Sequence, residues 1–438
     1  MTPEVSFVIG LALLIVLAVR LKVNAFLALL ISALTIGLLS GMGGVEVIHA
    51  MTSGFGEIIS KIGIVIILGV ILGKVLEDSK GAEKMAKSAI AMVGEKRGPL
   101  AMAISGFLIS VPVYSDVGYV ILSPLAKALS KKSKTCLAVI TVSLSAGLLA
   151  THVFVPPTPG PFAVVGLLGI DIGEMIIWGS FAAAAMTVSG WFYAQYIMPK
   201  YLKPVIPGDP DDYAESRDMP NLLYAILPLL IPIVLILLNT TTSMLVTDKT
   251  GLVYVLSQFI GDPVIAMGIG VAVAVFLLGK RLGGGPATSK IINASVSDAG
   301  PIIFITAAGG SLGQVLEASG AGKAIAETIA SSGLPFILLP FLITGILKTI
   351  QGSGTVAMIT AATLCLPIVR ELSGNPLLIA LAAGSGARLV CHVNDSYFWV
   401  FTNMNRLSTK TGLITLSAAN VFMALGGLLA TWIASLII

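Results

Sequence analysis

Two stretches of the chain decide its fold: GKVLEDSKGAEKMA, which begins at Gly73, and GQVLEASGAGKAIA, which begins at Gly313. Identical residues recur in them at an offset of 240 positions, and the same offset relates His152 to His392. A fixed offset of this kind is the sign of an internal duplication. We therefore predict a first repeat over 1–198, a cytoplasmic linker over 199–220 and a second repeat over 221–438.

The composition places both copies in a lipid bilayer. Of 438 residues, 56% are hydrophobic and 11% are charged, against roughly 25% charged in an ordinary soluble domain. With a mean hydropathy of +0.98, most of the surface must face lipid, which excludes a soluble enzyme. At about 20 residues per crossing, we expect about ten to fourteen membrane segments. The net charge of +4 is too small to indicate a nucleic-acid partner.

The basic residues indicate how the two copies are oriented, because Lys and Arg collect in short cytoplasmic loops. Five of them lie in 77–97, whereas the corresponding segment 317–337 has only Lys323. In the loop pair 41–60 and 281–300 the second copy is the more basic one. In all five pairs of corresponding loops, one copy is basic and the other has few or no basic residues. This pattern predicts inverted repeats, which are typical of transporters. We expect both termini outside the cell and four cytoplasmic segments: 77–97, 127–134, 199–220 and 281–300.

Each copy also contains two interruptions. Residues 98–126 lie between two lysine clusters that both belong in the cytoplasm, and each arm of about 13 residues is too short to cross a ~30 Å hydrocarbon core. We therefore predict re-entrant hairpins near 98–126 and 338–366, and broken helices near 151–161 and 391–396. Irregular backbone at membrane depth is stable only inside protein or around a water-filled cavity. The four breaks should therefore converge on one internal site.

Four titratable residues at these breaks are candidates for proton coupling: Asp116, His152, His392 and Asp395. A carboxylate at the bilayer centre costs about 2.5 to 3.5 kcal/mol, so one that is retained usually serves an ion or proton pathway. The alternative for each Asp is a helix N-cap. Imidazole titrates near neutrality, although a histidine that hydrogen-bonds a broken backbone is the alternative there.

Polar side chains beside the breaks are the candidates for substrate binding. Hydroxyl and amide groups suit a carboxylate or polyhydroxylated ligand, and free N–H groups at half-helix N-termini suit a carboxylate. Serine and threonine hydroxyls also satisfy helix backbone, and Lys348 and Arg388 have the alternative of extending to the membrane interface. The predicted binding residues are Ser115, Thr151, Thr158, Lys348, Gln351, Ser353, Thr355, Asn394 and Ser396.

Other classes of function fit the sequence less well. The three histidines are far apart and the three cysteines lie singly in apolar segments, so we predict no metal site and no cofactor. The segments QGSG from Gln351 and AGSG from Ala383 leave an intramembrane serine protease as a remote alternative, which does not explain the duplication. Paired hairpins favour an occluded midplane site over an open channel.

Four motifs resemble the gluconate permease family of proton-coupled sugar-acid symporters, within the wider ion-transporter superfamily. They are YSDVGYVILSPL from Tyr114, THVFVPPTPGPFAV from Thr151, QGSGTVA from Gln351 and CHVNDSYFW from Cys391. The resemblance covers the whole chain. It implies a two-domain elevator architecture, a homodimer in the bacterial inner membrane, and a small carboxylate substrate, with a proton favoured over sodium as the coupling ion.

Two departures from the family pattern bear on the substrate. Gluconate members commonly have Glu where this chain has Asp116, and His where it has Thr158. These departures leave open a smaller hydroxy acid such as glycerate. The family also includes a D-serine permease, so an amino acid is the alternative substrate.

Overall fold

The computed structural model describes residues 2–21, 23–94, 97–201, 219–245, 250–321, 335–366, 369, 374–392 and 395–438. All regular elements in these residues are helical, which confirms the predicted all-α class. Residues 202–218, most of the predicted linker, lie outside them. The first half has nine α-helices in its described part: α1 (Pro3–Ile15), α2 (Ala25–Leu39), α3 (Gly44–Asp78), α4 (Gly81–Val93), α5 (Gly98–Ile109), α6 (Ser115–Ser133), α7 (Leu137–Phe154), α8 (Pro159–Leu168) and α9 (Ile172–Phe192).

The second half has ten α-helices in its described part: α10 (Leu222–Leu245), α11 (Leu252–Ile260), α12 (Pro263–Leu278), α13 (Gly285–Ala318), α14 (Leu338–Gln351), α15 (Gly354–Leu364), α16 (Pro376–Gly386), α17 (Ser396–Met404), α18 (Thr409–Gly412) and α19 (Ala418–Ala434). Short π-helical turns continue α1 at Val16–Arg20 and α9 at Tyr193–Ile197, and another, Leu413–Ser417, lies between α18 and α19.

Local sequence signals explain several helix starts. The Asp262 side chain accepts a hydrogen bond from the backbone of α12, and Asn375 does the same for α16. Each is followed by a proline at the first helical position, where the missing N–H has no intrahelical partner to lose. Asp171 caps α9 through the N–H of Glu174 at 3.0 Å. These caps satisfy N–H groups that an apolar environment leaves unpaired.

Two sequence expectations were wrong. Residues 41–60 and 281–300 were expected to be loops, but α3 begins at Gly44 and α13 at Gly285. α13 has 34 residues, about 50 Å at 1.5 Å per residue, so it is longer than a bilayer core is thick. α3 has 35 residues and is bent by 45° between Lys61 and Gly63.

The expected ten to fourteen crossings exceed what the described residues contain. Five helices are long and apolar enough to cross, or up to seven with two bent pairs. The rest of the apolar sequence lies in shorter helices of 10–17 residues, such as α5, α15 and α16.

Burial separates a central group of helices from a peripheral one. In α7 and α8, 94% of the most apolar window is buried, against 28% in α10. Every residue of α8, and α16 from Leu377 to Gly386, is buried. Large apolar side chains are exposed on the periphery, for example Phe181, Val234 and Phe276. Such a surface is suited to lipid, and the central helices are those that flank the breaks.

The long helix α3 holds the two breaks of the first half in place. A Cβ atom on Gly73 would lie 2.1 Å from the carbonyl oxygen of Pro112, and one on Gly69 would lie 2.8 Å from that of Pro157. The two glycines are one helical turn apart, so they share a face of α3. Their missing side chains allow both irregular segments to pack against a single helix.

Candidate functional site

The four breaks in the helices lie next to one another. The rings of Tyr114 and His152, from the first two breaks, have centroids 5.9 Å apart. A Cβ atom on Gly160 would lie 3.4 Å from Cγ2 of Thr355, so α8 and α15 begin side by side. The described residues of the breaks are 110–114 between α5 and α6, 155–158 between α7 and α8, 352–353 between α14 and α15, and 387–392 with 395 between α16 and α17.

The third and fourth breaks are joined by a buried ion pair. Lys348, 1% exposed, donates hydrogen bonds to the carbonyl oxygen of Gly352 and to the carboxylate of Asp395. The carboxylate also accepts from the Cys391 thiol at 3.1 Å and from the N–H of Tyr397 at 2.9 Å. Both charged groups are therefore already engaged within the protein. This geometry favours a role in holding the site together, and it includes the N-cap considered for Asp395.

Asp116 has a different environment. It is the second residue of α6 and is only partly buried. Its charged neighbours are Asp395, Arg388 and Lys348, and the Ser396 hydroxyl is its hydrogen-bond neighbour. Among the described residues its carboxyl group forms no ion pair. Of these two carboxyl groups, that of Asp116 is therefore the one outside the ion pair.

Thr151 and His152 bring unpaired polar atoms to the site. The Thr151 hydroxyl and the Nδ1 atom of His152 are buried and have no hydrogen-bond partner in the described structure. The charged neighbours of His152 include Arg388 and Lys348. A buried polar atom without a partner costs roughly 1 to 3 kcal/mol. A bound polar ligand would supply the missing partners.

The other histidine of the repeat bonds to the backbone. Nε2 of His392 lies 2.9 Å from the carbonyl oxygen of Thr349, at the end of α14. This is the backbone-bonding alternative considered for a histidine at a break. Asn394 lies outside the described residues, and so does the side chain of Gln351.

The half-helix N-termini differ in what they offer an anion. In α15 the Ser353 hydroxyl accepts from the N–H of Val356 at 3.3 Å, and the N–H groups of Gly354 and Thr355 precede the first intrahelical bond, from Ala357 to Ser353. Two donors therefore face outward at the positive end of this helix.

The N-terminus of α8 is poorer in donors. It begins Pro-Gly-Pro, so Gly160 alone contributes an N–H ahead of the first intrahelical bond. The Thr158 hydroxyl donates to the carbonyl oxygen of Val155 at 2.6 Å. Ser115 is buried at the start of α6. The start of α15 is therefore the better anion site, and the sequence expectation did not separate the two.

Arg388 is the residue whose place sequence reasoning undervalued. It is 4% exposed, and its Nε atom has no hydrogen-bond partner in the described structure. Its Nη2 atom lies 2.4 Å from the position of a Cβ on Gly354. The guanidinium therefore packs against the first turn of α15. The sequence signal for this role was a basic residue directly after the apolar segment that forms α16.

Comparison with known proteins identifies the family. The profile of the GntP family permeases matches residues 3–437. The chain belongs to this permease family. A Haemophilus influenzae permease is 41% identical over 418 residues, which cover 92% of this chain and 86% of the relative. A gluconate permease of Pseudomonas aeruginosa is 31% identical over 97% of this chain and 96% of the relative.

A solved structure shows the same fold. The Alcanivorax borkumensis YdaH transporter aligns with a TM-score of 0.70 at 14% sequence identity, over 94% of this chain and 98% of that one. The family profile and the gluconate permease of Pseudomonas aeruginosa confirm the predicted resemblance to the gluconate permeases. As a GntP family permease, the chain is a multi-pass membrane transporter of the gluconate permease type and not an enzyme.

Proposed function

We propose that this GntP family permease is a proton-coupled symporter that carries a small sugar acid or hydroxy acid, of the gluconate or glycerate type, into the cell. The observation that supports it most is the meeting of four helix breaks around buried charges and unpaired polar atoms. A site of this kind, inside a membrane protein and built from discontinuous helices, is suited to a polar solute and its coupling ion.

Asp116 is the proposed carrier of the proton. Its carboxyl group lies at the site and is free of an ion pair in the described structure, whereas Asp395 is held by Lys348. Protonation of Asp116 removes a negative charge next to the position where an anionic substrate would bind. The substrate carboxylate and the proton then bind together. A neutral Asp116 does not repel the carboxylate, and a bound carboxylate favours the protonated form of Asp116. His152 is a second candidate, since its Nδ1 atom is unpaired.

The proposed hydroxyl contacts of the substrate come from several elements. The Thr151 hydroxyl is buried and has no hydrogen-bond partner in the described structure, Ser115 begins α6, Ser353 caps α15 and Thr355 lies in its first turn. Ser396 begins α17 beside Asp116. A ligand with a carboxylate and neighbouring hydroxyls would reach several of these groups at once. Asn394 stays a proposed contact on the strength of its sequence position alone.

The proposed mechanism is that of an elevator built from two inverted repeats. Helices at corresponding positions support the duplication: α5 begins at Gly98 and α14 at Leu338, while α7 begins at Leu137 and α16 at Pro376. We propose that the two hairpins, α5–α6 and α14–α15, belong to a moving transport domain, with the peripheral helices as the scaffold of a homodimer. The proposed location is the bacterial inner membrane, with both termini outside.

Uptake into proteoliposomes tests this function. Purified protein is reconstituted in sodium-free vesicles, and uptake of labelled gluconate, D-glycerate and D-serine is compared with that of protein-free vesicles. We expect one of the two hydroxy acids to accumulate when the lumen is made alkaline. D-Serine is the alternative, because Asp116 and Arg388 are neighbours of opposite charge that would suit a zwitterion. Accumulation of D-serine alone, or uptake that requires sodium, would contradict the proposal.

A further inference from the structure

We propose that Arg388 binds the carboxylate of the substrate, together with the N–H groups of Gly354 and Thr355 at the start of α15. The inference rests on the proposed function, and it defines a carboxylate subsite: the Arg388 guanidinium and the first turn of α15. It predicts that the permease recognises the acid group of its substrate as such and discriminates against neutral polyols of the same length.

The first support is that Arg388 is buried and forms no ion pair with the described residues. The side chain is 4% exposed, its Nε atom has no hydrogen-bond partner in the described structure, and the nearby carboxyl groups are those of Asp116 and Asp395. A buried charge outside an ion pair is destabilising unless something pairs with it. The carboxylate of Asp395 is already occupied by Lys348, Cys391 and the N–H of Tyr397. An incoming anion would supply the pairing that the described protein groups do not.

The second support is the placement of the guanidinium at a helix N-terminus. Its Nη2 atom packs against Gly354, the first residue of α15. The N-terminus of a helix carries a partial positive charge, whereas the charge of the nearby Lys348 is offset by Asp395. Two positive groups thus lie at one point. This arrangement repels cations and stabilises an anion at that point.

The other charged residues at the site are consistent with a substrate carboxylate bound at Arg388. Asp116, from the first hairpin, is a charged neighbour of Arg388, and Asp395 and Lys348 offset each other. When Asp116 is protonated, the carboxylate of the ligand becomes the counter-charge of Arg388. The subsite therefore gives a physical reason for proton and acid to be carried together.

Gly354 is a specificity determinant in this account. A Cβ atom there would lie 2.4 Å from Nη2 of Arg388 and 3.3 Å from the carbonyl oxygen of Ala387. An alanine would therefore push the guanidinium away from the turn. Arginine presents a planar pair of donors that matches a carboxylate, whereas lysine presents a single point charge. The position of the guanidinium can be changed through Gly354, and its planar donor pair can be removed through Arg388→Lys.

Ligand binding to the purified full-length protein tests the subsite. Thermal stabilisation is titrated with D-glycerate against glycerol, and with gluconate against sorbitol, in wild type and in Arg388→Gln, Arg388→Lys and Gly354→Ala. Arg281→Gln, at an exposed arginine, is the matched control. We expect the affinity for the acids to fall about tenfold to a hundredfold in Arg388→Gln and Gly354→Ala, by the loss of a charged hydrogen bond, and to stay unchanged in the control. Arg388→Lys should recover part of the loss.

Size-exclusion profiles establish that each variant is folded. If Arg388→Gln does not fold, Gly354→Ala and Arg388→Lys decide the matter, because both keep a cation in place. Wild-type affinity for the acids in these variants would overturn the subsite and leave the proposed function intact. A wild-type protein that binds none of the acids would overturn the proposed function and the subsite with it. Equal affinity of wild type for glycerol and D-glycerate would overturn the subsite as well.

Discussion

Lys348 and Asp395 form a buried ion pair that joins the end of α14 to the start of α17. The pair connects a hairpin tip to a break more than forty residues further along the chain, and it leaves Asp116 and Arg388 as the charged groups of the site outside that pair. Its burial sets its energetics apart from those of a surface pair. Removal of one partner leaves an uncompensated charge, whereas removal of both does not.

Breaking this pair should therefore destabilise the protein. We expect Lys348→Met to lower stability by about 3 to 5 kcal/mol, and the double variant Lys348→Met/Asp395→Asn to recover a large part of the loss, because Asn can still cap α17. Thermal unfolding in detergent measures this. Lys61→Met is the control, since the Lys61–Glu57 pair is 51% and 47% exposed and is worth about 1 kcal/mol at most. Equal melting temperatures for Lys348→Met and Lys61→Met would contradict the prediction.

Asp116→Asn should uncouple transport from the proton. The amide keeps the size of the side chain but cannot take up a proton in the physiological range. We expect pH-driven accumulation to be lost while exchange of substrate across the membrane continues. Asp262→Asn is a matched control, because that residue caps α12 and Asn is an equally good cap. Normal pH-driven uptake by Asp116→Asn would transfer the coupling role to His152, His392 or Asp395.

A bulky residue at Ser353 should block binding. The Ser353 hydroxyl caps α15, next to the proposed carboxylate subsite. The phenyl ring of Ser353→Phe would therefore fill the space that the ligand needs. We expect no thermal stabilisation by the acids at concentrations that saturate wild type. Ser289→Phe, on the exposed side of α13, should bind as wild type does. Retained affinity in Ser353→Phe, together with retained affinity in Ser115→Phe, would place the site elsewhere.

The close packing of the first hairpin against α3 predicts an effect far from any charge. Gly73→Ala would place a methyl group 2.1 Å from the carbonyl oxygen of Pro112, so the hairpin tip must move. We expect destabilisation of roughly 1 to 3 kcal/mol and a loss of transport. Gly56→Ala changes the same helix at a position with nothing within 4 Å and should be neutral. Identical transport rates in the two variants would show that the packing at Gly73 does not matter.

The charge pattern of the loops predicts the topology. Single cysteines at Lys84 and Lys132, in a Cys136→Ser background, should resist an impermeant thiol reagent in intact cells and react after permeabilisation. The other two native cysteines are buried, so the background labelling should be low. A cysteine at position 2, near the N-terminus, should react in intact cells. Free labelling at 84 and 132 from outside would contradict the inversion of the repeats.

Several features of the fold follow directly from the sequence. α5 ends three residues before Pro112, α14 ends directly before Gly352, which has a positive φ, and α8 begins at Pro159, so these residues mark the breaks where the backbone loses a donor or takes a positive φ. The meeting of the breaks followed from a physical requirement, because irregular backbone within a membrane must be enclosed by protein.

Other features depend on three-dimensional packing that no local pattern contains. The continuation of α3 and α13 through segments expected to be loops is not marked by a change in periodicity. The sequence places Lys348 and Arg388 equally close to breaks, yet among the described residues Lys348 forms an ion pair and Arg388 forms none. Their difference arises from which carboxylate lies within reach, and Asp395 is reached by Lys348. A single chain does not reveal such a long-range pairing before the fold is known.

Proton movement on addition of substrate is the most direct test of proton-coupled uptake through Asp116. Sodium-free proteoliposomes with a pH-sensitive dye in the lumen receive D-glycerate or gluconate from outside. We predict that the lumen becomes acidic as labelled substrate enters, and that Asp116→Asn abolishes the acidification. Entry of substrate with no change in luminal pH, or acidification that persists in Asp116→Asn at the wild-type rate, would contradict the account.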